Sequence, residues 1–243
     1  MDILRLLITD YTFQVVLLGT VLLGMVSGSV GSFAVLRQQS LLGDCIAHAA
    51  LPGICLAFLI TLSKSSFVLL VGAIVAGIIG ALLLNVMTHF SDLKSDAGLG
   101  IVLSVFFGFG LFLLTYIQKL PYAHQSGLHT YLFGNASTLL MGDVKVMAWF
   151  GGVVLLMLFF FWKEFKMVSF DGDFAMSLGF PRKRLELCLT FLIVISIVVG
   201  LQAVGVVLMS ALVIAPAAAA RQWTDRLSRM VFLGAFFGAL SSS

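Results

Sequence analysis

Two side chains that could bind a metal ion lie four residues apart near the start of a long apolar stretch. They are Asp44 and His48, in the segment Gly-Asp-Cys-Ile-Ala-His-Ala that begins at Gly43. Residues four apart share one face of a helix, and carboxylate oxygen and imidazole nitrogen are ligands for manganese, iron and zinc. The pair is therefore a candidate half-site for a divalent cation, which a symmetric dimer would complete with a second pair.

The residues around this pair leave a structural alternative open, in which an Asp-His hydrogen bond merely caps or orients the helix. Cys55 falls on the same face, but eleven residues at about 1.5 Å each place it about 16 Å away, so it cannot bind the same ion. Pro52 and Gly53 follow the pair, and they predict a kink because proline removes a helical hydrogen bond. The freed carbonyl could face a cavity, or the kink could serve packing alone.

The composition indicates that these residues lie in an integral membrane protein. Hydrophobic residues make up 60% of the 243 residues and charged residues 10%, whereas soluble domains are about 25% charged. With a mean hydropathy of +1.13, the chain cannot cover a soluble fold with polar side chains, which excludes soluble enzymes and nucleic-acid-binding proteins. The three cysteines lie in apolar stretches without Cys-x-x-Cys spacing, so neither a disulfide framework nor a zinc ribbon is predicted.

Long apolar windows predict an all-α, polytopic transmembrane bundle of about seven spans, which forms a single domain over residues 1–243. A helix needs roughly 20 apolar residues to cross the hydrocarbon core. Charge-poor windows of this kind cover 13–36, 41–62, 66–87, 97–117, 146–162 and 187–220. The last window has 34 residues, with Gly200, Gln202 and Gly205 near its middle, which predicts two spans joined by a tight turn. A final run over 230–243 is about half a span long, so we expect either a C-terminally incomplete chain with a truncated eighth span or an unusual half-span.

The cations divide unevenly between the two ends of these spans. Ten of the 14 fall on one side, namely Arg37, Lys94, Lys163, Lys166, Arg182, Lys183, Arg184, Arg221, Arg226 and Arg229. The other four are Arg5, Lys64, Lys119 and Lys145. Because cytoplasmic loops carry the excess of Lys and Arg, the first side is predicted to face the cytoplasm, which places the N-terminus outside and the loop of residues 163–186 inside.

A short cytoplasmic helix is predicted over residues 170–182. Acidic residues, including Asp173, stand at its start, and Gly-Phe-Pro stands at its end. Ala175 and Gly179 are four apart and would leave one flat face on which a partner could dock closely. An ordinary interfacial helix would show the same pattern.

The remaining motifs are weaker or missing. His124 and His129 lie in the predicted external loop, where they are either solvated or could pass metal to a pore, and His89 ends the third span. The sequence contains neither G-x-x-x-x-G-K-[ST] nor H-E-x-x-H, which excludes ATP hydrolysis by a P-loop and a zinc protease of that type. Energy for transport would have to come from elsewhere.

Four segments together resemble the membrane permease of the bacterial zinc/manganese/iron ABC importers, the ABC-3 type. The first runs from Leu-Gly-Asp at 42–44 through His48 to Pro-Gly at 52–53, and the second is Tyr-Leu-Phe-Gly-Asn at 131–135. The third is D-x-A-x-x-x-G at 173–179, and the fourth is V-G-x-x-L-x-S-A-L-x-x-x-P-A-x-x-A-R at 204–221. The last segment is the most specific, and the match spans most of the chain.

The resemblance implies a transport subunit of the bacterial cytoplasmic (inner) membrane, not an enzyme. Its partners would be a second permease, identical or different, two cytoplasmic ABC ATPases and an extracytoplasmic metal-binding protein, with membrane lipid around it and no nucleic acid. The transported cation would be manganese, zinc or iron, with no permanently bound cofactor. Asp44 and His48 fall on the family's metal-coordinating positions, and Asp173, Ala175 and Gly179 fall on the coupling helix that seats in the ATPase. The predicted kink at Pro52 and Gly53 would then lie at the pore.

Two other functions use the same residues. A secondary carrier or channel would move a cation through the Asp-His pair without an ATPase partner. A structural membrane subunit would use the pair only to stabilise a helix.

Overall fold

The computed structural model describes residues 10–39, 41–62, 65–90, 95–119, 134, 136 and 139–242. These residues form nine helices and no strand: α1 (Tyr11–Leu36), α2 (Leu42–Thr61), α3 (Ser66–Phe90), α4 (Ser95–Gln118), α5 (Met141–Phe160), α6 (Trp162–Phe170), α7 (Gly172–Ser177), α8 (Arg182–Trp223) and α9 (Leu227–Ser242). Six of these helices, α1 to α5 and α8, are long and apolar enough to cross a membrane. This confirms the predicted all-helical transmembrane fold.

Helix α8 turns back on itself at Gly205, as its 34-residue uncharged window predicted. Gly205 has φ 77° and ψ 175°, outside the helical region, and at this positive φ glycine avoids the strain of a side chain. A Cβ atom at Gly200 would collide with the side chain of Met209, whereas nine residues of straight helix would separate them by about 14 Å. The chain therefore reverses direction, and α8 supplies two antiparallel legs.

Helix α1 forms the centre of the bundle because its glycines allow main chains of two other helices to touch it. The contacts are Gly24 with Gly238 and Gly28 with Gly234 of α9, and Gly31 with Val213 in the second leg of α8. A Cβ atom at any of these three α1 positions would overlap the opposing main chain. In lipid, where apolar burial does not drive helices together, such close contact supplies much of the attraction between helices.

Most of the described cations gather at one end of the bundle, which we call the basic end. Arg37, at the end of α1, donates from Nη1 to the main-chain carbonyl of Glu186 in α8 at 3.4 Å. Lys166 of α6 and Arg226 before α9 line one cavity at this end. The first turn of α2 also lies here, because α2 follows directly after the loop that contains Arg37.

A hydrogen-bonded carboxylate joins three helices at the opposite end. Asp143 Oδ1 accepts from Ser66 Oγ of α3 at 2.7 Å, and Oδ2 accepts from the main-chain N–H of Leu140 at 3.1 Å. Gln202 Nε2, beside the turn of α8, donates to Ser66 Oγ at 3.4 Å. This capping explains why α5 begins at Met141, earlier than the predicted 146. A carboxylate in the first turn does not interrupt a helix when hydrogen bonds satisfy it there.

We expect Gly28→Ala to lower the free energy of unfolding by about 1–3 kcal/mol, because the new methyl group must push apart two main chains. Gly152→Ala in α5 is the matched control, since a Cβ there meets nothing within 4 Å. Thermal unfolding of both variants in detergent micelles checks this. Equal melting temperatures for the two variants would show that the glycine contacts between α1 and α9 do not hold these helices together.

Candidate functional site

Helix α2 exposes the two predicted ligands and buries their neighbours. From Leu42 to Cys55, every residue is buried except Asp44 and His48, whose side chains are 42% and 19% exposed. His48 Nε2 lies 3.5 Å from Asp44 Oδ1, so the helix does place both groups on one face. A polar pair within an otherwise buried stretch of α2 thus opens onto the surface of this chain.

Helix α4 and the second leg of α8 border this opening. The ring of Phe107 in α4 packs edge-on against the His48 imidazole, with centroids 4.5 Å apart. A Cβ atom at Gly43 would lie 3.8 Å from the α-carbon of Ser210 in α8. The sequence analysis did not single out Phe107, because nothing distinguishes it from the other phenylalanines. Ser210 stands in the motif at 204–221, the most specific of the four, so the motif could have marked Ser210 as a candidate site residue.

The pair retains unused hydrogen-bonding and ligand capacity. Among the described residues, no hydrogen bond reaches the Asp44 carboxylate, and the N-cap residue Leu41 makes no side-chain cap. His48 Nδ1 is buried without a partner. The geometry therefore does not match a carboxylate that caps the helix. The partly exposed Asp44 carboxylate, which accepts no hydrogen bond from the described residues, suits a cation.

The described residues of one chain supply too few ligands to enclose a metal ion. The described residues contain no group of three or more His, Cys, Asp and Glu side chains that could hold one. Structural and catalytic zinc sites use at least three protein ligands. A cation at Asp44 and His48 would complete its coordination with water or with groups from another chain.

The position of the pair along α2 is now defined. Asp44 and His48 lie in the first two turns, and His48 stands about 9 Å along the axis from Leu42. Because α2 has 20 residues, both side chains lie in the half of the helix that is next to the basic end.

Pro52, Gly53 and Cys55 face the interior of the bundle. The helix continues through Pro52, although proline lacks the N–H that would bond the His48 carbonyl, and the kink stays a prediction. Gly53 packs directly against the main chain of Gly72 in α3. The Cys55 thiol lies 3.8 Å from the Gly110 carbonyl of α4, which agrees with its exclusion from the metal site.

The predicted short helix exists, but its small residues do not form the expected flat face. Helix α7 ends at Ser177, and Gly179 follows it with φ 84°. Phe180 N–H bonds the Ala175 carbonyl and Gly179 N–H bonds that of Met176, which is the Schellman arrangement that ends a helix. Ala175 is fully buried. The expectation was wrong because six residues form too short a helix to carry a partner at both positions.

The outer surface of α7 is instead apolar. Phe174, Met176 and Leu178 are each more than half exposed, as is Phe170 at the end of α6. Exposed apolar side chains clustered at the basic end of a membrane protein suit a contact with another protein or with the membrane surface.

Asp173 connects α7 to the start of α8. Its carboxylate accepts from Arg182 at 2.7 Å, and Arg182 also donates to Glu186 at 2.9 Å. The exposed Asp173 pair contributes little to stability. Since the Glu186 carbonyl accepts from Arg37, a chain of polar contacts runs from α7 to the loop before α2.

Other predicted positions lie outside the described residues. These are His124, His129 and, except for Gly134, the motif at 131–135. The side chain of His89 is also outside them. A Cβ atom at Gly134 would collide with the main chain at Val204 and Gly205, so this glycine lies against the turn of α8.

We expect a cysteine at position 44 to react at least about ten times faster with a charged, membrane-impermeant thiol reagent than one at position 47. Asp44 opens to the surface whereas Ala47 is fully buried one turn away. Asp44→Cys and Ala47→Cys would be compared in a background lacking the three native cysteines, by mass spectrometry. Equal rates would mean that the face of α2 is not open to water.

Comparisons with known proteins agree with this architecture. A model of the ABC 3 transport family matches residues 9–243. The chain is 49% identical to the zinc transport system membrane protein TroC of Treponema pallidum, over 99% of this chain and 81% of that one. It is 49% identical to the manganese transport system membrane protein MntC of Bacillus subtilis over 94% of this chain, and it spans 52% of that protein.

Among solved structures, PsaBC from Streptococcus pneumoniae in complex with Fab superposes with a TM-score of 0.86 at 32% identity. The match covers 99% of this chain and 83% of the other. Helices, motifs and relatives therefore agree that this chain is a polytopic membrane protein of the ABC 3 transport family.

Proposed function

We propose that the chain is the membrane-spanning subunit of an ABC importer that moves a divalent transition-metal cation into the cytoplasm, driven by a separate ATPase. The observation that carries this proposal is the Asp44–His48 pair, which opens from the otherwise buried first part of α2, residues 42–55, in a member of a transport family. Relatives named for zinc and manganese transport support it. The cation is the cargo of this site, and no resident cofactor is proposed.

The orientation that we propose places the basic end in the cytoplasm, because Lys and Arg are retained on that side. Helix α1 ends at the basic end with Arg37, so its first residues lie outside. The membrane is the bacterial cytoplasmic (inner) membrane. The Asp44–His48 pair then lies in the cytoplasmic part of the transport path.

A second permease, identical or homologous, would complete the metal site. The flanks of the opening expose small residues at four-residue spacing: Gly100, Ser104 and Gly108 on α4, and Ala211, Ala215 and Ala219 on α8. Small residues let helix main chains approach closely in lipid. Two pairs would supply two carboxylates and two imidazoles, which would balance the charge of a divalent ion in a site of low dielectric constant.

The choice of metal does not follow from similarity, because relatives named for zinc and for manganese share the same 49% identity with this chain. Carboxylate and imidazole accept manganese, zinc and iron alike. We therefore propose the class of cation, with manganese and zinc ahead of iron, and we propose that an extracytoplasmic metal-binding protein delivers it.

Coupling to the ATPase would pass through α7. Its exposed apolar surface would seat in the ATPase, while Asp173 links it through Arg182 and Glu186 to Arg37. Movement of α7 would thereby reach the start of α2, where Asp44 lies. Gly179 would act by ending α7 and Ala175 by anchoring it to the bundle. The pathway would open alternately to the two sides as the ATPases close and separate.

We expect cells that lack their own importers to accumulate one metal when this chain is expressed with the ATPase and binding protein encoded beside it. His48→Ala and Asp44→Asn should reduce that accumulation to the level of empty vector, since each removes a ligand. Thr61→Ala, exposed at the far end of α2, is the control. Elemental mass spectrometry at matched membrane abundance measures the metal.

The competing functions give different results. A secondary carrier or channel would accumulate metal without the ATPase. A structural pair would leave transport per folded molecule unchanged in Asp44→Ala and lower only the thermal stability.

We expect Phe174→Ala to reduce the amount of ATPase that co-purifies with the chain by at least about threefold, because it removes apolar area from the centre of the α7 surface. Trp223→Ala, at an aromatic residue that is more exposed than Phe174 (78% against 54%) and lies at the end of α8, is the control. Equal retention of the ATPase by both variants would contradict docking through α7.

A further inference from the structure

A cavity at the basic end lies between α6 and the connection from α8 to α9. It has a volume of about 360 Å³, within the usual range of about 300–1,000 Å³ for ligand pockets. One wall consists of aromatic and cationic residues at four-residue spacing on α6, which therefore share one face of that helix, and the other wall is mostly polar. The residues that matter here are Trp162, Lys166 and Phe170 from α6, and Asp225, Arg226 and Ser228 from the second wall.

Two of the lining side chains are cations without an ionic partner in the described part of the chain. Lys166 and Arg226 are both exposed, and neither takes part in an ion pair there. The one carboxylate of the lining, Asp225, has a cation outside the cavity as its neighbour, because its Oδ1 lies 3.9 Å from Nη2 of Arg221. The lining thus holds two cations and one carboxylate, and this balance favours an anionic ligand.

The cavity lies at the depth of a membrane surface. Trp162 stands two residues after the end of α5, whose 20 residues are about the number needed to cross the hydrocarbon core. Tryptophan is enriched at this boundary between hydrocarbon and water. The ring of Trp162 packs edge-on against Phe33 of α1, with centroids 5.9 Å apart, so the α6 wall is anchored to the bundle.

Both walls continue into exposed apolar side chains toward the membrane. Phe159 of α5 stands three residues before Trp162 and is 75% exposed, and Phe232 of α9 stands four residues after Ser228 and is 74% exposed. Residues at these spacings share a helix face. The spacing also holds between α5 and α6, because only Phe161 separates them and helical hydrogen bonds join it to both. A ligand that fits these walls has an anionic end and an apolar end.

From the charge, the depth and the apolar flanks we infer that the cavity binds the headgroup of an anionic phospholipid. Lys166 and Arg226 hold the phosphate, the arginine through two parallel hydrogen bonds, and the acyl chains lie against Phe159 and Phe232. Basic pockets between membrane helices are suited to such headgroups. The lipid would join α6, which leads into α7, to the connection between α8 and α9.

Counting the lipids bound to the full chain tests this inference. The chain is reconstituted without ATPase in phosphatidylcholine nanodiscs with increasing fractions of phosphatidylglycerol, and native mass spectrometry counts the lipid that stays bound after release. We expect one phosphatidylglycerol per chain, retained in preference to phosphatidylcholine. Lys166→Gln and Arg226→Gln should each raise the fraction needed for half occupancy by about fivefold, because each removes a cation that attracts anionic lipid.

Two control variants make the same charge change on the same helical segments. Lys163→Gln in α6 and Arg229→Gln in α9 alter exposed residues outside the lining, and both should bind phosphatidylglycerol like the wild type. If the controls weaken binding as much as Lys166→Gln and Arg226→Gln do, the general positive charge of the basic end attracts the lipid and the cavity is not a site.

Two other results would also overturn the inference. One is a wild type that retains no phosphatidylglycerol in preference to phosphatidylcholine. The other is retention of the lipid by Lys166→Gln and Arg226→Gln together with a loss of co-purifying ATPase, which would assign the cavity to the protein partner.

Discussion

The bundle depends on main-chain contact between helices at glycine. Water drives apolar surfaces together in a soluble protein, but lipid offers helices an equally apolar neighbour, so packing at close range must hold them. Gly24, Gly28 and Gly31 give α1 this contact with α9 and α8, and Gly53 with Gly72 gives it to α2 and α3. These glycine contacts set the geometry of the candidate metal site, because they fix the rotation of α2 about its axis. That rotation turns Asp44 and His48 outward and buries the residues between them.

Two polar regions at the basic end have different physical characters, although one short loop joins them. Asp44, beside His48, offers a partly exposed carboxylate that accepts no hydrogen bond from the described residues, which suits a cation. Arg37, seven residues earlier, carries a cation without a carboxylate partner among the described residues. Asp173 and Arg182 connect α7 directly to the second region, and the loop between α1 and α2 connects the second region to the first. The same few residues thus connect a surface suited to a protein partner with a site suited to a metal.

Local patterns predicted the features that depend on one segment of the chain. The four-residue spacing of Asp44 and His48 was sufficient to place them on one face, and an uncharged window too long for one span predicted the turn at Gly205. Features that depend on contacts between segments were missed. The early start of α5 needed Ser66 to bond Asp143, the inward position of Ala175 is set by packing against the bundle, and Phe107 meets His48 only because α2 and α4 are neighbours. No periodicity within one helix carries that information.

The single-residue turn of α8 also bears on how this part of the chain enters the membrane during synthesis. Residues 187–220 carry no charge, while cations stand just outside both ends at Arg184 and Arg221. In the orientation proposed above, the turn offers no cation that would hold it on the cytoplasmic side, whereas both flanks carry one. With one non-helical residue between them, neither leg can be threaded independently of the other. The two legs must therefore insert as one helical hairpin, and a charge introduced beside Gly205 would disturb biogenesis before it could disturb transport.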